Sequence, residues 1–380
     1  MRMKFGFFLM PAHAPRENPT LAYERDLRLI EYAESLGFDE FWVGEHHTGG
    51  WEIIPAPDIF MSAAAQRTKR IRLGAGVVNL PYHHPFDVAE RMAFLDQLTY
   101  GRIMLGVGPG VLPTDIKLYD LDQPKVRPMM DESLEIILRL FREDGPVTYE
   151  GEYWTIKEME LQVKCYQEPH LPIAVASTGR PHSLEVAAQH GLQLLSANFQ
   201  SGASGAALGK QWEVLEGLAA DKGTTVRRDD WRIANYLYIA DTTEKAFDDI
   251  QAGAERELRE YFFPLGVKPS YEEYPGQPAE EIDLRQAIRK KGWIIGDPDD
   301  CIRALQDQLA GSGGFGGMLI TSTEWTSQEN WNHCLELFAR YVMPEFQRSN
   351  RGTKSSWQRM LDASEAGSLA TPYGPGKRIE

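Results

Sequence analysis

Glu45, His46 and His47 follow one another directly after a short apolar run that ends at Gly44. Imidazole titrates near neutrality, so a histidine placed where a strand exits can give or take a proton during catalysis. A carboxylate beside two imidazoles is also a metal-ligand set, but adjacent residues on a strand point to opposite faces and reach one ion only after the chain has turned. The sequence has no HxH or HExxH pattern to complete such a centre. A catalytic or cofactor-facing histidine is the first reading of this cluster, a satisfied structural pair the second and a metal site the third.

Other stretches suit the holding of a ligand. Leu73 to Pro81 (LGAGVVNLP) brings Gly74, Ala75 and Gly76 ahead of Val77, and small residues at a strand end let the backbone approach a flat ring. Ordinary packing of helix on strand asks for the same residues. Gly106, Gly108 and Gly110 lack the G-x-G-x-x-G spacing of a dinucleotide site and read as a close approach or a strand-exit turn. Ser177, Arg180 and Ser183 lead into the helical stretch Leu184 to His190, where hydroxyls, amides and a guanidinium make a phosphate cradle; Ser183 as a simple N-cap is compatible with that. Trp51, Phe199, Trp293 and Trp325 lie near expected strand ends and would line a water-poor substrate pocket or serve as core.

These groups need a scaffold that gathers strand ends. Apolar β-rich runs recur at Lys4 to Met10, Glu40 to Gly44, Ile71 to Val78, Ile103 to Val107, Ile173 to Ala176, Leu192 to Ser196, Arg232 to Ala240 and Gly317 to Thr321, with helical spacing between them. Eight such units predict a closed (β/α)8 TIM barrel, an α/β fold; the alternative is a flavodoxin-like open sheet with a second domain. One domain is expected over residues 1–348. Pro146 to Ile156 reads as an inserted hairpin, residues 261–292 as an insertion that is either a cover for the strand-end face or a surface excursion, and residues 349–380 as an extended or flexible tail.

At 380 residues and a formal charge of −15, the chain should repel nucleic acid and anionic membrane, and no apolar run approaches the ~20 residues of a membrane span. Cys165, Cys301 and Cys334 are scattered and odd in number, which predicts neither disulfides nor a zinc cluster. With no signal peptide visible, a cytoplasmic protein with small-molecule substrates is expected.

Taken together, FGFF near the N-terminus, GFDEFWVGEHH, IRLGAGVVNLPYHHP, ERMAFLDQLTYGR, EGEYW and the ASTGR turn resemble the bacterial luciferase-like flavin-dependent monooxygenases, and among them the limonene and diketocamphane monooxygenase type. The resemblance runs from about Lys4 to Arg340. It implies a two-component enzyme that uses reduced FMN, delivered by a separate NAD(P)H:flavin reductase, and O2. Such an enzyme oxygenates a small apolar substrate (a terpene, cyclic ketone or N-heteroaromatic) through a C4a-(hydro)peroxyflavin. It implies further that His46 is catalytic, that Ala75, Gly76 and Val77 underlie the flavin around a non-prolyl cis peptide, that Glu90 lies near the flavin, and that the protein is a homodimer. Pro109 stands where luciferases hold the flavin phosphate with an arginine, so Arg180 is the substitute. An F420-dependent hydride-transferring oxidoreductase, a non-catalytic flavin-binding relative and a metal-dependent barrel hydrolase are the rival readings.

Overall fold

The computed structural model describes residues 2–10 and 12–369. Its strands are β1 (Lys4–Leu9), β2 (Glu40–Val43), β3 (Arg72–Asn79), β4 (Ile103–Gly108), β5 (Val147–Glu150), β6 (Thr155–Met159), β7 (Ile173–Ser177), β8 (Gln193–Ala197), β9 (Trp231–Ile239), β10 (Ile294–Gly296) and β11 (Gly317–Thr321). Eight of them pair in parallel in the order β1-β2-β3-β4-β7-β8-β9-β11, and β11 pairs back to β1, which closes the barrel. An open sheet with a second domain is thereby excluded.

The apolar alternation of the strands explains the layering. Phe5 and Phe7 of β1 turn outward onto Phe338 and Phe38, while Gly6 and Phe8 turn inward. Inside, bulk and its absence alternate: a Cβ on Gly74 would lie 2.5 Å from the ring of Trp42, so glycine is required where the indole fills the barrel. Toward the N-terminal ends of the strands, Arg232 donates to both carboxylate oxygens of Glu40, at 2.8 and 2.7 Å, and both are buried. The opposite rim, where the strands exit, is left to the loops.

Three additions decorate this frame. β5 and β6 form the expected hairpin, pinned by Glu132, whose carboxylate accepts from the amides of Glu152, Tyr153 and Trp154. The insertion is partly helical: a π-helical stretch Leu258–Val267 continues the helix Thr243–Glu257, and a further helix spans Leu284–Lys290. β10 was not expected; it is three residues long and pairs with the last third of β9, beyond the part that pairs with β11. The tail also differs from expectation, because Arg351–Glu365 is an exposed helix without a buried residue. Its good helix formers outweigh the serines and glycine, and i,i+4 contacts such as Gln358 to Asp362 support it. Residues 370–380 of the expected tail lie outside the described residues.

Candidate active site

A cavity of about 660 Å3 opens at the strand exits, within the ~300–1,000 Å3 typical of sites for small ligands and cofactors. Its wall includes Phe8 and Met10 of the first strand's exit, Gly44, Glu45 and His46 after β2, Gly76 and Val77 of β3, and Gly108 and Pro109 at β4. Ser177 and Arg180 follow from β7, Phe199 from β8, and Ala234 and Tyr236 from β9. The insertion contributes Tyr261, Phe262, Leu265, Val267, Ser270, Tyr271 and Lys291, so it covers this face.

His46 is held at both edges. Its Nδ1 lies 3.1 Å from Asp115 Oδ2, and its Nε2 makes a 2.9 Å charge contact with Glu52 Oε2. Burial opposes a charge on the ring, but the two carboxylates outweigh it and raise its pKa to about 10. The histidine is therefore an imidazolium at neutral pH. Asp115 is fixed in turn by Thr48 Oγ1 and by the amide of His47, and Glu52 by the Tyr261 hydroxyl, which donates at 2.7 Å. Burial raises and His46 lowers the Glu52 pKa, with a net lowering, so it remains a carboxylate.

The rest of the histidine-rich motif is bonded within the protein. Glu45 Oε1 receives Nε2 of His47 at 2.8 Å and Nε2 of His83 at 2.7 Å, while its Oε2 accepts from the amide of Asn79 at 2.8 Å. Glu45, His47 and His83 could together reach one cation, as could His13, Glu17 and Glu324. In both groups the ligand atoms already have protein partners; His13 lies between Asp26 and Glu324, and Arg25 pairs with Glu17 and Glu324.

At the β7 side, Ser177 Oγ lies 2.7 Å from Ser183 Oγ and accepts from the amide of Gly179 at 2.9 Å. Among the described residues no side chain caps the helix Pro181–His190 that starts there, and its start, with Arg180, His182 and Ser183, lies on the cavity wall. Arg180 and Arg127 line the same cavity, and neither forms an ion pair among the described residues. Across the floor, the Gly76–Val77 peptide is cis, and Gly76 packs on Phe8 and Trp42, where a Cβ would come within 3.1 Å of each.

Several expected site residues are placed differently. Ala75 is buried but faces away from the cavity, as strand alternation next to Gly76 requires. Glu90 is exposed on the helix Pro85–Leu98, whose inner face is formed by Val88, Ala89, Met92 and Leu95, and it does not line the cavity. Phe199 lines the cavity, whereas Trp51, Trp293 and Trp325 pack behind its wall. Trp51 stacks on Tyr261 at 5.5 Å, and Trp293 and Trp325 stack on each other at 5.2 Å beneath Tyr236. Conversely, Glu52, Asp115, Arg127, Tyr236, Tyr261 and Lys291 escaped the reading of the sequence. Only Glu52 carries a local signal, six residues beyond His46 in a loop.

A family model described as luciferase-like monooxygenase matches residues 3–314. The chain is 39% identical to 4-hydroxyprotoasukamycin monooxygenase of Streptomyces nodosus subsp. asukaensis, over 96% of this chain and 98% of that one. It is 38% identical to limonene 1,2-monooxygenase of Rhodococcus erythropolis, over 91% of this chain and 87% of that one. Among solved structures, the oxygenating constituent of 3,6-diketocamphane monooxygenase of Pseudomonas putida, a type II Baeyer-Villiger monooxygenase in complex with FMN, superposes with a TM-score of 0.78 at 24% identity. The match covers 91% of this chain and 99% of that one. With the barrel, the strand-exit cavity and a family match over most of its length, the chain is a monooxygenase that belongs to the luciferase-like family.

Proposed function

We propose that the protein is the oxygenase of a two-component system, that it binds reduced FMN in the strand-exit cavity, and that it uses O2 to oxygenate a small, largely apolar organic substrate. The observation that carries the reading is the division of one cavity into an anion cradle at β7 and a cationic histidine at β2. Ser177, Ser183, Arg180 and Arg127 suit the FMN phosphate, with the uncapped helix N-terminus behind them. Gly76, Val77 and Gly108 suit the approach of a flat ring, since they put little side chain above the floor. FMN bound in the Pseudomonas putida structure of the same fold supports this assignment.

Reduced flavin supplies the electrons that activate O2, so that one oxygen atom enters the substrate and the other leaves as water. The residues do the rest. His46, charged and fixed by Glu52 and Asp115, offers a proton and a positive charge to oxygen at the β2 exit, which suits oxygen transfer and attack on a carbonyl alike. Tyr261, Phe262, Leu265 and Tyr271 of the insertion close over the mouth and keep water from the reacting groups. Terpene, cyclic ketone and N-heteroaromatic skeletons all fit such a wall.

A separate NAD(P)H:flavin reductase supplies the reduced FMN in this reading, because the glycines of the β4 exit run into a loop before the short helix Pro113–Leu118 and form no nicotinamide-binding turn. We place the protein in the cytoplasm as a homodimer. No described helix is long and apolar enough to cross a membrane. The test is anaerobic equilibrium binding of reduced FMN against F420: saturable binding of reduced FMN in preference to F420 supports the proposal, and the reverse preference assigns hydride transfer without oxygen.

A further inference from the structure

Lys291 is out of place in this cavity. It follows the helix Leu284–Lys290, and the next residue is fastened to the barrel, since Asn235 of β9 donates to the carbonyl of Gly292 at 2.9 Å. Its ammonium lies 4.8 Å over the ring of Tyr271, on the cavity wall. Neighbouring lysines of the insertion have acidic partners, Lys268 with Glu272 and Lys290 with Glu273, but Lys291 has none among the described residues. Burial alone acts on it and lowers its pKa, with no carboxylate to oppose the loss of solvent. The ring face of a tyrosine compensates a half-buried ammonium only in part. In a chain of net charge −15, a cation kept apart from acid on a ligand-binding wall is placed to meet an anion.

The phosphate cradle does not account for it. Arg180 and Arg127 belong to the exits of β7 and β4, whereas Lys291 is tied to β9, with β8 between. Tyr271 is the side chain against the Lys291 ammonium, and of the other insertion residues on the same cavity wall Phe262, Leu265 and Val267 are apolar and Ser270 is uncharged.

We propose that Lys291, backed by Tyr271, is an anion subsite for the substrate, and that the substrate is a small organic acid or oxyanion, apolar in its body with a carboxylate, phenolate or enolate at one end. The inference rests on the flavin reading only in assigning the phosphate cradle to FMN. In its geometry the acidic head docks at β9, while the apolar body extends across the mouth toward His46.

Binding of cyclohexanecarboxylate and of its neutral isostere cyclohexanecarboxamide, followed calorimetrically on the apoprotein and on protein holding reduced FMN under anaerobic conditions, tests this. The carboxylate is expected to bind roughly tenfold or more tightly than the amide, in line with a charge-assisted contact. Lys291→Met should abolish that preference, Lys291→Arg should retain most of it, and neither should change the affinity for reduced FMN. Equal binding of the two probes to the native protein overturns the proposal. So does a Lys291→Met variant that keeps the preference, or one that loses FMN affinity and thereby assigns Lys291 to the flavin phosphate. If reduced FMN fails to bind at all, the flavin reading falls, while the probe preference of the apoprotein still decides the subsite.

Discussion

Asp115 stands 69 residues from His46 in the chain, and its Oδ2 lies 3.1 Å from Nδ1 of that ring, on the edge opposite Glu52. The two acids raise the histidine pKa to about 10, so its proton should not be lost between pH 6 and 9. A histidine with an ordinary value near 6.5 would titrate in that window. NMR of the His46 ring protons against pH should show a flat response there, and Asp115→Asn should bring the transition down by at least about one pH unit, worth ~1.4 kcal/mol. Since the folded value exceeds the unfolded one, the pairing stabilises fully below about pH 6.5 and is lost as pH rises through about 10. Unfolding by urea from pH 6 to 10 should therefore show a native protein whose advantage over Asp115→Asn shrinks toward alkaline pH.

The cradle at β7 predicts selectivity between flavins. Arg180→Ala should weaken reduced FMN binding by about 10- to 100-fold, the ~1.5–3 kcal/mol of a contact to a charged group, and should leave riboflavin binding almost unchanged. Fluorescence or calorimetric titration with both flavins checks it. A parallel loss for riboflavin would mean that Arg180 supports the fold of the turn and not the phosphate.

Glu257 lies buried behind Tyr236, where Trp325 Nε1 donates to it at 3.0 Å. Burial raises its pKa to about 8, with a smaller push from Glu52 against the indole bond, so it is a neutral acid at pH 7. A raised carboxyl favours the folded state fully below its ordinary value near 4.5, and that advantage disappears as pH rises through about 8. Glu257→Gln should flatten the decline of stability between pH 5 and 8 and give the more stable protein at pH 9. Denaturant midpoints across that range are the measurement.

At the other end of the barrel, Glu40 and Arg232 are buried against each other. Removing one partner strands a charge, so Glu40→Ala should cost about 3–5 kcal/mol in unfolding free energy. A loss under about 1 kcal/mol would show that water reaches Arg232 there.

The barrel was legible because each strand is an apolar run and each crossover has helical spacing; Gly317–Thr321 has the expected bounds, and others differ by a residue or two. β10 was not legible, since Ile294, Ile295 and Gly296 are too few to show a period. That His46, Ser177, Arg180 and Ser183 line one cavity was legible because strand exits gather there, and these exits carry small, hydroxylic and imidazole residues. Asp115 and Tyr261 were hidden for a different reason: each is an ordinary helical residue until the fold brings it from another crossover, Asp115 to His46 and Tyr261 to Glu52, while Glu52 meets His46 because their shared loop folds back on itself. The sequence left the tryptophans open between pocket and core because a large side chain near a strand end fits the second layer as well as the first, and Tyr236 in front of Trp293 and Trp325 places those two in the second.

In the function proposed, this cavity holds reduced FMN and directs its reaction with O2. Its most direct test is anaerobic loading of the purified protein with reduced FMN, followed by an oxygen pulse under stopped-flow absorbance, for native protein and His46→Asn. A transient absorbing species distinct from both reduced and oxidised flavin is expected, with a formation or decay rate that changes at least tenfold in the variant. Reduced FMN that reoxidises at the rate of free flavin, in native protein and variant alike, would contradict it.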